Sequence, residues 1–282
     1  MKRLLYILTI SILIISCDGA QEVLKSSMND VARVSNKAID SVNSEFDKIT
    51  FNGPFKDEET VAVTTQKKDS FQHTIWNDLL QKHVTDDGKV RYTDFQKDHI
   101  TLQTYITSLQ QNTPTENWTR EAKLAYWINA YNALTVDLIL KNYPLKSIKD
   151  IRKPWHQRLW QLGDKMYDLD EIEHFILRKM NEPRIHFAIN CASFSCPPLL
   201  NVAFTETKLE TQLTKVTKDF LANKTHNTIT ADAIEISRIF KWFASDFKEN
   251  GSLIDFLNQY SDIKINATAK KSYKDYNWTL NE

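Results

Sequence analysis

The stretch EAKLAYWINAYNALTVDLILKNYP, residues 121–144, decides the architecture of this chain. Leu124, Trp127, Tyr131, Leu134 and Leu138 recur at the three-and-four spacing of one helix face, while Ile128, Val136 and Ile139 fill others. A helix that is apolar almost all round has no face to give to water, so it must be wrapped by the rest of its domain. Pro144 ends it, because proline lacks the backbone donor and clashes with the preceding turn. Asn129 and Asn132 stand three residues apart on this helix and therefore share a face. A buried amide without partners costs about 1–3 kcal/mol, so both must meet polar groups. Either they pin a neighbouring loop, or they line a site and hold a histidine or a substrate carbonyl.

Outward from this helix, FQHTIWNDLLQKHV (71–84), DHITLQTYITSLQ (98–110), LDEIEHFILRKM (169–180), TETKLETQLTKVTKDFL (205–221), IFKWFASDF (239–247) and SLIDFLNQY (252–260) read as further helices. GKVRYTDF (88–95) reads as extended, RIHFAIN (184–190) as an inner strand, NTITADAIEIS (227–237) as a hairpin, and the tail 263–281 as further extended segments. Five glycines and seven prolines in 282 residues are few, which fits a helix-rich domain. The expected class is α+β: a predominantly helical single domain with a small β-sheet.

The N-terminus reads MKRLLYILTISILIISC. Lys2 and Arg3 precede an apolar run from Leu4 to Ile15, too short for the roughly 20 residues of a membrane-spanning helix and typical of a signal peptide. Ile14-Ile15-Ser16-Cys17 looks like a bacterial lipobox. The expected organisation is therefore a signal peptide over 1–16, a lipidated Cys17 with a flexible polar tether over 17–70, and a globular domain over 71–282. The membrane would be reached through the lipid at Cys17, and the chain would lie in the cell envelope, on the periplasmic side or the outer surface. The 36 basic and 36 acidic residues cancel, so no field draws nucleic acid. No cofactor is expected.

Once Cys17 is set aside, Cys191 and Cys196 remain, an even pair in an exported chain. They sit in RIHFAINCASFSCPP (184–198), beside His186, Ser193 and Ser195. In a regular strand His186 and Asn190 face one way and Cys191 the other, so His186 and Cys191 could meet only if the chain bends after Asn190. Three readings stay open there: a disulfide staple worth about 2 kcal/mol for so short a loop, a Cys191 thiolate activated by His186, or a redox-active pair. On 169–180, Glu171 and His174 stand at the spacing used by metal-binding helices, and His186 could complete such a set. An exposed helix face, with His174 and Arg178 in ordinary pairs, explains the same residues.

LAYWINAYNALTV, YPLKSIKDI, LDEIEHFILR, RIHFAINCASFSCPPL and IFKWFASDF together resemble a bacterial lipoprotein member of the domain-of-unknown-function family numbered 547, over about 76–278. The resemblance implies that Asn129, Asn132, Glu173, His174, His186, Cys191 and Ser195 converge. The function expected from the two lines together is a thiol-dependent hydrolase or transferase acting on an amide or ester. Cys191 would be its nucleophile, His186 its base, and Asn129 or Asn132 the orienting or oxyanion-binding amide, with Glu173, His174 and Ser195 facing the substrate. The alternative is a non-catalytic envelope binding or assembly module with a disulfide-stapled loop.

Overall fold

The computed structural model describes residues 71–249 and 251–282. The signal peptide, Cys17 and the tether expected over 1–70 lie outside the described residues.

The long apolar stretch forms helix α4 (Arg120–Asn142), and three shorter helices precede it: α1 (Thr74–His83), α2 (Tyr92–Phe95) and α3 (His99–Gln111). The Thr119 hydroxyl caps α4 by accepting the Ala122 amide at 3.1 Å. From Leu124 to Leu140 every residue of α4 is buried, Asn129, Asn132 and Asp137 included. The buried Asp137 carboxylate accepts from Trp160 Nε1, Gln103 Nε2 and Lys141 Nζ, each at 2.6 Å, and so ties α4 to α3 and to the hairpin beyond. That hairpin pairs β1 (Trp160–Leu162) with β2 (Lys165–Tyr167), antiparallel.

Further along, α6 (Leu209–Ala222) packs against the turn 183–187, and α7 (Ile239–Trp242) and α8 (Leu253–Tyr260) follow. The second sheet has the order β3 (Thr228–Ile229), β4 (Ala233–Ile236), β5 (Lys270–Tyr273). The hairpin expected over 227–237 is its antiparallel half, and the tail adds β5 parallel to β4. The domain is thus a helical α+β fold with two small sheets, and one continuous apolar core runs round α4.

Three local expectations change. GKVRYTDF is not extended throughout: a single bridge joins Val84 to Val90, and Tyr92–Phe95 turns into α2. The helix over 169–180 begins as α5 (Leu169–Glu171), widens into a π turn over Ile172–Ile176 and tightens into a 3₁₀ turn over Leu177–Met180. RIHFAIN is no strand at all. Pro183 opens a 3₁₀ turn over Pro183–Phe187, and the Glu182 carboxylate accepts the Arg184 amide at its start. With the strand goes the alternation of faces that parted His186 from Cys191.

Candidate functional site: an aromatic cleft beside a disulfide

The two asparagines of α4 hold the chain that follows this turn. Asn132 Nδ2 donates to the Ala188 carbonyl at 2.9 Å and its Oδ1 accepts the Asn190 amide at 2.8 Å. Asn129 does the same for Phe204, donating to its carbonyl at 2.8 Å and accepting its amide at 3.0 Å. Their amides are therefore taken up by backbone, and among the described residues neither is hydrogen-bonded to His186. Asn190 in turn accepts the Ala192 amide at 2.7 Å and donates to the Pro197 carbonyl at 2.8 Å. Ala192 takes a left-handed φ of 58°, which reverses the chain there. The bend lets Cys191 and Cys196 join, with Cα atoms 6.2 Å apart.

The tail then covers the loop. Phe194 N donates to Thr279 O at 2.7 Å, Ser195 N to Asn277 O at 3.2 Å, and Asn277 N to Ser195 Oγ at 2.9 Å. Ser195 is a fastening to the tail and does not line the cavity. Tyr276 and Trp278, on the same tail, close over the disulfide and complete a cleft of about 280 Å³. Its walls are aromatic: Tyr276 lies 4.7 Å from Trp242 and 4.6 Å from Trp278 between ring centres, and Trp155 meets Trp278 at 5.7 Å. Tyr131 reaches it from α4, and Asp170, Glu173 and His174 from the widened helix. His156, His186, Cys191 and Cys196 also line it, and among the described residues none of its lining is lysine or arginine.

Glu173 reaches the cleft from the π turn. It lies in this wider turn next to Ile172, and is 9% exposed. Tyr131 donates its hydroxyl to Glu173 Oε2 at 3.1 Å, and no other hydrogen bond reaches this carboxyl among the described residues. Burial pushes the carboxyl up to about 7; the Tyr131 hydrogen bond and the Arg178 charge only partly offset this. Glu173 is thus poised between its two protonation states near neutral pH.

The histidines are occupied differently. His186 stacks on Phe243 at 3.9 Å between ring centres and donates Nε2–H to Asp246 Oδ2 at 2.9 Å. Burial pulls its pKa down, and Asp246 acts against that pull. Asp246 also receives Arg178 through both carboxylate oxygens at 2.6 Å. Burial pushes the Asp246 carboxyl up, but the hydrogen bonds from Arg178, His186 and Ser245 outweigh it and hold the group well below the usual carboxylate range. Arg178 donates its NH1 group to His174 Nδ1 at 2.8 Å, and His174, lowered chiefly by burial, faces Asp170 at 3.6 Å.

Of the residues that the sequence singled out, Glu173, His174, His186, Cys191 and Cys196 meet at the cleft, while Asn129, Asn132 and Ser195 serve the scaffold. Cys191 shares the cleft with His186 but is joined to Cys196, so it presents no thiolate in this state. Glu171 pairs with Lys165 and Arg158 and makes no metal set with His174. The one cluster of metal-ligating groups among the described residues is His156, Asp168 and Asp170, within 4.8 Å of one another. Asp168 there already caps α5 through the Glu171 amide at 2.8 Å. Sequence reasoning placed Asp170 beside Glu173 and His174 on the 169–180 helix, and missed Asp246, the aromatic walls and the part Tyr131 plays at the cleft. Their one visible signal was the density of aromatic residues in the Trp155–Trp160 loop, in IFKWF and in KDYNWTL.

Residues 115–221 match the family model described as "Protein of unknown function, DUF547". That segment carries α4, the widened helix and the disulfide loop, whereas Trp242, Asp246, Tyr276 and Trp278 lie beyond it. The match is narrower than the span of 76–278 over which the motifs resemble the family. No curated protein and no solved structure matches the chain.

Proposed function

We propose that the domain is a binding module of a cell-envelope lipoprotein, anchored through Cys17, whose aromatic cleft takes a small organic ammonium ligand. The observation that carries this reading is Glu173, a buried carboxyl with a single hydrogen bond among the described residues, at a cleft walled by tryptophan and tyrosine and lined, among those residues, by no basic side chain except histidine. Aromatic faces attract cations through their quadrupoles, most strongly where water is excluded. A carboxyl held near neutrality by burial gains most from such a partner, because the ligand's charge repays the cost of ionising it in place. The Lys149 ammonium lies 4.2 Å from the Trp278 ring centre, a contact that supports a cation-accepting wall.

The test is a titration of the cleft tryptophans by fluorescence, with choline and with its neutral tert-butyl isostere. Saturable quenching by choline, weak or absent with the isostere and lost in Glu173→Gln, supports the reading. Equal responses to both compounds would overturn it.

A thiol-dependent hydrolase or transferase acting on an amide or ester is the second reading, favoured by Cys191 and His186 lining one cleft. It requires a reduced pair and a His186 released from Asp246. Esterase or amidase turnover that appears only after reduction, and disappears in Cys191→Ala, would support it over the first.

A further inference from the structure

We infer that the Cys191–Cys196 disulfide exchanges with small dithiols entering the cleft, Cys191 taking the mixed disulfide and Cys196 leaving as the thiolate. This inference rests on the surroundings of the sulfurs and needs no ammonium ligand.

A disulfide sulfur is a weak hydrogen-bond acceptor and a thiolate a strong one, so donors aimed at a sulfur favour the reduced, ionised form. Cys196 Sγ has three polar groups around it, Ser193 Oγ at 3.3 Å among them, whereas Cys191 Sγ has two at longer range, Ser193 Oγ at 3.3 Å and the Tyr276 hydroxyl at 3.4 Å. The Cys191 backbone N–H points at Cys196 Sγ from 3.0 Å, and the Tyr276 hydroxyl lies 3.2 Å away. Ser193 Oγ donates its one hydrogen to the Tyr276 oxygen at 2.9 Å, which leaves the phenol hydrogen for the sulfur. Burial holds the Tyr276 phenol well above its ordinary pKa, so it remains a donor across the working range.

The two sulfurs differ in access. Cys196 is buried, whereas Cys191 is half-buried and faces the cleft, so an incoming sulfur meets Cys191 first. The loop does not depend on the S–S bond for its shape. Asn132, Asn190 and the tail hold it through hydrogen bonds from Asn190 N, Ala192 N, Phe194 N and Ser195 N. Reduction therefore leaves the two cysteines facing one another.

One thiolate of the dithiol attacks Cys191 Sγ, a new S–S bond forms, the Cys191–Cys196 bond breaks, and its electron pair stays on Cys196. The second thiolate of the same dithiol then attacks the sulfur bound to Cys191, closes the dithiol's own disulfide and releases Cys191 as a thiolate, which takes its proton from water. Two electrons pass from the dithiol to the cysteine pair.

The experiment equilibrates the oxidised domain with mixtures of reduced and oxidised dithiothreitol, then reads the thiols by alkylation and mass while circular dichroism follows the fold. The expected result is reversible reduction in the native state, with a Cys196 thiol pKa below the ordinary value of about 8.5. Tyr276→Phe removes a hydrogen bond to a charged acceptor and should shift the equilibrium towards the disulfide by about ten-fold or more. Ser193→Ala, which frees the phenol to turn and removes a hydroxyl 3.3 Å from each sulfur, should shift it the same way and serves if Tyr276→Phe does not fold. Reduction only in denaturant, or an equilibrium that neither variant moves, would overturn the inference. Dithiothreitol carries no ammonium group, so either result leaves the choline titration standing on its own.

Discussion

Glu173→Gln changes a protonation equilibrium while keeping the shape of the side chain, and its effect on stability must depend on pH. The folded carboxyl is pushed up to about 7 from an ordinary 4.5. A group raised on folding binds more protons in the native than in the unfolded state. Its contribution is therefore fully present below pH 4.5 and is lost as the pH rises through about 7. That interval corresponds to about 3 kcal/mol, an upper figure because the carboxyl faces a cleft open to water. Glutamine does not titrate. The stability of Glu173→Gln relative to the natural chain should thus rise by about 2–3 kcal/mol between acid and mildly alkaline pH. The contributions of His174 and His186 appear in both proteins and largely cancel in the difference. Urea unfolding of both proteins at several pH values between 4 and 8 reads it, through midpoints at constant slope. A difference that stays flat across that range would refute the buried, poised carboxyl.

Asn132→Ala leaves the Ala188 carbonyl and the Asn190 amide without partners in the core, and should cost about 3 kcal/mol in urea unfolding. Gly88 holds φ +80°, and a Cβ there would lie 2.3 Å from the Pro198 Cβ. Gly88→Ala should accordingly lower stability by about 2 kcal/mol or more, read as a fall in thermal midpoint. Cys191→Ser with Cys196→Ser should cost about 2 kcal/mol, the entropy of a short loop, and leave the native circular dichroism spectrum in place.

The sequence made the scaffold legible where a single pattern had a single solution. Helix α4 is apolar on every face, and a helix of that kind can only be central. The amides of Asn129 and Asn132 had to find partners, and a pinned loop was one of the two outcomes named for them. The even pair Cys191 and Cys196, read together with an expected export signal, made the disulfide one of the outcomes named. The site itself was less legible, because it depends on departures from regular periodicity. RIHFAIN is short and buried, and such a run looks alike as strand or turn; Pro183, at home in the first turn of a helix, was the discriminating residue. The π turn that holds Glu173 adds no residue type that marks it. Tyr276 and Trp278 reach the cleft only through a tail folded back over a loop about eighty residues earlier in the chain, and spacing along a sequence carries no such contact.

Calorimetry of choline binding, in two buffers of different ionisation heat at about pH 6, tests the central claim most directly. Below about 7 the empty cleft holds Glu173 mostly protonated, and a bound cation favours its ionised form. The account predicts net release of a proton on binding, an affinity that rises as the pH approaches neutrality, and neither effect in Glu173→Gln. Binding with no proton released, or with a proton taken up, would contradict it.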